Sequence, residues 1–203
     1  FMAQAEYGYR DLFTLTGNIR ADGSSIFGSG NKWGFFPSVS ATWDVLSTLP
    51  QMRTAWFNTF KLRSGYGLSG NTGGIRSYNS LLLLNPVGVI SWKGTPATTF
   101  GILSNANPDL RWETRSSFNV GADMGFWKNR VVLTAEYYYS RTRDMLYMYD
   151  VPVPPFVYPQ MLANLGSMSN SGFEFGLGVT PLQRKDIELN INVNISFQKN
   201  KLL

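Results

Sequence analysis

Ile187-Glu188-Leu189-Asn190-Ile191-Asn192-Val193-Asn194-Ile195-Ser196-Phe197-Gln198 decides the fold. Every odd position is apolar and every even one polar, without a break. That is period 2, the signature of an extended strand whose successive side chains point to opposite sides. Strands of globular sheets are most often about 5–6 residues long. An alternation sustained this far suits a strand that crosses a bilayer, which takes about 9–11 residues at a tilt near 45°. Its polar face of Asn, Ser and Glu suits a wet lumen and is the opposite of what a dry core requires.

The same alternation recurs upstream. Phe173, Phe175, Leu177 and Val179 alternate with glycines and Glu174, and Val131, Leu133, Ala135, Tyr137 and Tyr139 with Thr134, Glu136 and Tyr138. Phe118, Val120, Ala122 and Met124 are interleaved with Asn119, Gly121 and Asp123. Three more segments follow the rule: Phe60 to Leu68, with Arg63 on the polar side, Pro37 to Trp43, and Phe13 to Ile19. The reading is therefore seven long antiparallel strands, an all-β chain forming part of a transmembrane β-barrel. Aromatic residues near strand ends (Trp43, Trp56, Phe57, Phe126, Trp127, Tyr137, Tyr138 and Tyr139) are expected to form interfacial girdles. Alternation alone also admits a soluble sandwich or solenoid with one buried face.

Composition removes other classes. Of 203 residues only 15% are charged, against 15% aromatic, and the net charge is +5. With no Cys and no His, the chain has no disulfide framework, thiolate metal site, cysteine nucleophile or Ser-His-Asp triad. Neither a metal nor a cofactor is expected. The longest wholly apolar run, Leu81 to Leu84, is far short of a membrane helix. The basic excess is scattered, with no run longer than Arg184-Lys185, so no nucleic-acid surface is expected.

Connections alternate between two sides. Those near 21–34, 70–112 and 144–165 lie on one side, on the whole the longer, and those near 45–59, 126–130 and 180–186 on the other, where the 45–59 connection is itself longer than a turn. Short periplasmic turns and long extracellular loops are the rule in outer-membrane barrels, so the first set is expected outside. The 45–59 connection is expected to carry a short interfacial helix displaying Leu49, Met52, Trp56 and Phe60. Seven strands cannot close a bacterial barrel, whose counts are even and at least about 8. Residues 1–203 are accordingly read as part of one larger barrel domain.

Four motifs, in order, resemble the TonB-linked outer-membrane receptors of the SusC/RagA family. They are Arg20-Ala21-Asp22-Gly23-Ser24-Ser25-Ile26-Phe27-Gly28 with Asn31-Lys32-Trp33-Gly34-Phe35-Phe36-Pro37-Ser38-Val39-Ser40; Leu62-Arg63-Ser64-Gly65-Tyr66-Gly67-Leu68-Ser69-Gly70-Asn71; Asn107-Pro108-Asp109-Leu110-Arg111-Trp112-Glu113; and Asn164-Leu165-Gly166-Ser167-Met168 with Asn170-Ser171-Gly172-Phe173-Glu174. The resemblance implies a 22-stranded barrel in the outer membrane, of which this chain is part of the C-terminal half. It also implies a lumenal plug outside this chain, contact with TonB through a missing N-terminal region, a SusD-type lipoprotein lid and import of glycans or peptides. A non-transporting β-rich surface protein is the alternative.

Candidate contacts follow from position. Trp33, Trp92, Phe100, Trp112, Tyr147, Tyr149, Phe156 and Tyr158 fall in the expected extracellular connections, where aromatic faces can stack on sugar rings, meet a partner or pack the loop itself. Val151-Pro152-Val153-Pro154-Pro155 stiffens one of these loops, because Pro fixes φ. The expected lumen-facing polar residues are Arg63, Asn119, Asp123, Glu136, Glu174, Asn190, Asn192 and Asn194. Two motifs are coincidental. Gly65-Tyr66-Gly67-Leu68-Ser69-Gly70 matches G-x-G-x-x-G, but no acid follows until Asp109, well beyond the spacing of about 20 that ribose binding requires. Asn194-Ile195-Ser196 fits a glycosylation acceptor but lies in mid-strand. Asp123, Glu136 and Glu174 could supply a glycosidase-like acid pair, yet inward acids are ordinary on a wet barrel wall, so no enzymatic activity is expected.

Overall fold

The computed structural model describes residues 1–28, 30–73, 75, 78 and 80–203. In chain order the strands are β1 (Met2–Tyr9), β2 (Phe13–Gly23), β3 (Trp33–Asp44), β4 (Phe57–Asn71), β5 (Leu83–Trp92), β6 (Thr95–Ser104), β7 (Glu113–Phe126), β8 (Val131–Arg143), β9 (Leu146–Asp150), β10 (Gln160–Asn164), β11 (Ser167–Gln183) and β12 (Glu188–Leu202). Eight of them form one antiparallel sheet in the order β1-β2-β3-β4-β7-β8-β11-β12. It is a meander from which two hairpins project, β5–β6 and β9–β10. Among the described residues no helix is long and apolar enough to cross a membrane.

The registers assign the two faces. One transverse row reads Tyr7, Leu15, Ala41, Ser64, Val120, Tyr137, Phe173 and Phe197; the next on the same face includes Ala122, Ala135, Phe175 and Ile195. All of the apolar alternation lies on this face. No second layer covers it: Phe175 is 42%, Val193 47% and Ile195 51% exposed. The buried apolar residues, Phe27, Phe36, Val45, Leu46, Leu110 and Ala163, all belong to connections or strand ends. An uncovered apolar face across eight strands far exceeds the largest patch of an ordinary soluble monomer, a few hundred Å², and matches the lipid-facing band of a barrel.

The main sheet has one strand more than the alternation predicted. In β1 the outer set is Ala3, Ala5, Tyr7 and Tyr9, paired with Ile19, Gly17, Leu15 and Phe13. Two of the four are alanines facing Met2 and Gly8 on the other side, so the contrast between faces is too low to register. The helix of the 45–59 connection also lies earlier than expected. Helix α1 spans only Val45–Thr48 and buries Val45 and Leu46; Pro50–Met52 is a single 3-10 turn, and Phe60 lies within β4. Asp44 explains the start: its carboxylate accepts the Ser47 N–H at 3.0 Å, an N-cap that ends β3 and opens the helix. Tyr138 points inward, on the polar side where the alternation puts it and so away from the interfacial girdle expected of it, its ring filling the space that a side chain at position 172 would need. Gly172 is required there.

At the short-turn end the aromatic belt forms as expected. Trp56 stacks on Phe126 at 5.9 Å between ring centroids, and Phe57 on Phe126 at 5.2 Å. The 127–130 turn holds Trp127, Lys128 and Asn129 at positive φ. Asn58 accepts the Lys128 N–H and Thr59 donates to Asn129, which fixes the strained turn to β4.

Candidate functional site

Two polar assemblies stand out, one on the inner wall and one at the long-loop end. On the wall, Arg63, Gly121, Glu136 and Glu174 lie side by side across β4, β7, β8 and β11. Arg63 grips Asp123 with both forks, Nε to Oδ2 at 2.7 Å and Nη2 to Oδ1 at 3.1 Å, and reaches Glu136 at 3.5 Å. It can reach across because the intervening residue is Gly121: a methyl there would sit 3.3 Å from the guanidinium. Asn119 donates to the other Glu136 oxygen at 3.3 Å. Glu174 lies opposite Glu136, one acid beside another on a half-solvated surface. Further along, Asn192 and Asn194 fold over Gly178 and Gly176, and Asn190 accepts from Thr180 at 2.6 Å. All eight polar residues expected on one face share it, and around Arg63, Glu136, Glu174, Gly176 and Asn194 it is hollowed by about 370 Å³. Such a wall offers amide and carboxylate hydrogen bonds to a hydrated polar solute.

At the long-loop end, the Asn107–Glu113 segment fastens the three long connections together. Asn107 donates to the Leu162 carbonyl at 2.8 Å. Leu110 is completely buried. Arg111 pairs with Asp144 at 2.6 Å, while its backbone and the Asn164 amide exchange two hydrogen bonds of 2.9 and 2.7 Å. Trp112 packs on Phe27 at 5.2 Å and on Phe36 at 5.5 Å. Glu113 accepts from Asn71 and from the Leu146 N–H, each at 3.1 Å. Gly28 lies against the Pro108 carbonyl so closely that any side chain would collide. The pairing of β3 with β4 runs only as far as Ser38 and Gly67, and beyond it the Phe36 ring occupies the place where a Gly70 side chain would be. The motif residues thus meet one another in space.

The aromatic candidates separate by location. Trp112 belongs to this packed cluster. Trp33 opens β3, stacked with Phe1 at 6.2 Å and 58% exposed. Trp92 and Phe100 lie on the β5–β6 hairpin and Tyr147 on β9, all exposed, with Tyr149 edge-on to Tyr147 at 5.4 Å. Phe156 and Tyr158 are half-buried in the Pro-rich loop. A residue the sequence did not flag holds that loop: buried Asn105 donates to the Tyr158 and Gln160 carbonyls at 2.6 and 2.9 Å and accepts the Val157 and Tyr158 N–H groups. Asn is common in any loop, so nothing local distinguished it.

A family described as TonB dependent receptor-like, beta-barrel, matches residues 1–201. The chain belongs to this family. Among its relatives, TonB-dependent receptor P26 of Formosa agariphila is 33% identical over all of this chain and 20% of its own length. TonB-dependent receptor SusC of Bacteroides thetaiotaomicron is 31% identical over 95% of the chain and 19% of its own. Of solved structures, the RagAB peptide importer in its 'closed-closed' state superposes with a TM-score of 0.87 at 29% identity, over 99% of this chain and 22% of that one. The chain spans about one fifth of the length of the relatives it matches. The SusC/RagA resemblance of the four motifs is therefore real, and the sheet is outer-membrane barrel wall. Its relatives are named as receptors and importers, not as enzymes.

Proposed function

We propose that this sheet is wall and outer rim of a TonB-dependent importer that takes up glycans or peptides together with a SusD-type lipoprotein. The observation that carries the reading is the division of the sheet: a continuous apolar outer face, an amide- and carboxylate-bearing inner face, and long connections tied into a rigid rim at one end. Support for import comes from the relatives, since one is named SusC and another is a peptide importer. Exposed Trp33, Trp92, Phe100 and Tyr147 are placed to capture cargo or to meet the lipoprotein lid. The inner wall, with Asn119, Asn190, Asn192 and Asn194, offers the passing solute exchangeable hydrogen bonds once TonB displaces the plug.

Deletion of the gene is expected to abolish growth on one class of oligosaccharide or peptide, with the same loss when TonB is disrupted. Ala at Trp92, Phe100 and Tyr147 together is expected to lower uptake about tenfold or more, since a single aromatic anchor contributes about 2 kcal/mol. Normal growth of the deletion strain on oligosaccharides and on peptides alike, with no lipoprotein purifying alongside the intact protein, would overturn the proposal.

A further inference from the structure

The outer face is apolar for most of its height and then turns basic at the long-loop end, over three neighbouring strands only. In the outward set of β8, Val131, Leu133, Ala135, Tyr137 and Tyr139 are followed by Arg141 and Arg143. In β12, Leu189, Ile191, Val193, Ile195 and Phe197 are followed by Lys199 and Lys201. Between them, β11 presents Ser167, Ser169 and Ser171, and the registers bring these groups together: Ser167 beside Arg143, Ser169 between Arg141 and Lys201, and Ser171 beside Lys199. No irregularity interrupts either pairing over these residues, so the four cations share one face. No acid lies in the outward sets of β7, β8, β11 or β12. Among the described residues none of the four cations is in an ion pair, and the half-buried Arg141 has an Nε with no hydrogen-bond partner.

Height decides what such a patch faces. Ten residues separate Val131 from Arg141, about 34 Å of strand at 3.4 Å per residue, or about 24 Å along the membrane normal at a tilt near 45°. The apolar band of an outer-membrane barrel is about 25 Å tall. Arg141 therefore emerges where acyl chains give way to headgroups, on the side of the long extracellular connections. Guanidinium and ammonium groups flanked by hydroxyls are suited to phosphate oxygens, Arg through its planar fork and Lys as a point charge.

We infer that Arg141, Arg143, Lys199 and Lys201, with the serines of β11, form a binding site for the phosphate groups of an outer-leaflet glycolipid. The site is on the lipid side of the wall, separate from the path of any transported solute.

The test uses the full-length protein purified from outer membranes in mild detergent, with phosphorylated glycolipid counted by native mass spectrometry. R141Q, R143Q, K199Q and K201Q combined are expected to lower bound glycolipid at least tenfold, since each basic group near a charged lipid surface contributes about a fivefold factor. R141K with R143K, which keeps the charge, is expected to retain most of it. An arm without variants reconstitutes the natural protein with the same glycolipid before and after enzymatic removal of its phosphates; only the phosphorylated form is expected to remain bound. Equal retention by the fourfold variant, or equal binding of both lipid forms, would overturn the assignment. Displacement of the bound lipid by millimolar inorganic phosphate would identify a site for free anions and overturn it as well.

Discussion

Leu110→Ala in the full-length protein is expected to cost about 3–5 kcal/mol at the extracellular rim, the range for a buried Leu whose cavity cannot collapse. Leu110 is 0% exposed, in the segment that joins all three long connections. Collapse is resisted because the flanking residues are fixed by directional contacts: Asn107 to Leu162, Arg111 to Asp144 and Asn164, and Trp112 between Phe27 and Phe36. The loss is expected to be local. The barrel wall has its own backbone ladder and lipid contact, so the connections should be cut by external protease on whole cells while the heat-modifiable barrel band persists. Leu82→Ala, at a residue 48% exposed, is the control and is expected to change stability by less than about 0.5 kcal/mol. Equal protease sensitivity of the two variants would show that the rim is not fastened at Leu110.

Phe175→Arg is expected to destabilise the barrel in lipid by about 2–4 kcal/mol from the charge alone, the cost measured for Arg near a bilayer midplane. Phe175 lies midway along β11 in the outward row with Ala135 and Ile195. Asn194→Arg, one residue away from Ile195 but on the inner face, is expected to be nearly neutral, because its side chain meets water beside Glu174 and Glu136. Folding efficiency into lipid vesicles across a urea series measures both. A reversal of the two effects would exchange the faces of the sheet.

The wall was legible in the sequence because only one physical rule governs it. A residue's face follows from parity, so Ile191, Val193 and Asn192 could be placed without knowing any contact. The sides of the connections were legible because a meander sends alternate connections to opposite ends; length alone does not separate them, since the 45–59 connection is as long as the 21–34 one. The first strand was missed where parity carries little contrast, at Ala3 and Ala5. Parity also placed Tyr138 inward, and only its inclusion in the aromatic girdle failed, because membership of an aromatic triplet says nothing about face. The rim was legible only as motifs. That Asn107, Leu110, Arg111 and Asn164 belong to one cluster depends on hydrogen-bond partners 53 and 55 positions apart, as in the Arg111–Asn164 and Asn107–Leu162 pairs, and no periodicity encodes that. Asn105 shows the same limit: its role depends on the backbone of residues 157–160, which the sequence cannot bring near it.

The apolar face of the sheet meets lipid and the amide face meets water, a division that single cysteines at Val193 and Asn192 report in the full-length protein, held in outer-membrane vesicles. This chain has no cysteine of its own to compete for the label. Val193→Cys is expected to react with a membrane-soluble maleimide and to resist a charged one, and Asn192→Cys to do the opposite. Labelling of both positions by the charged reagent would mean that the alternation buries a soluble core, and the barrel account would be wrong.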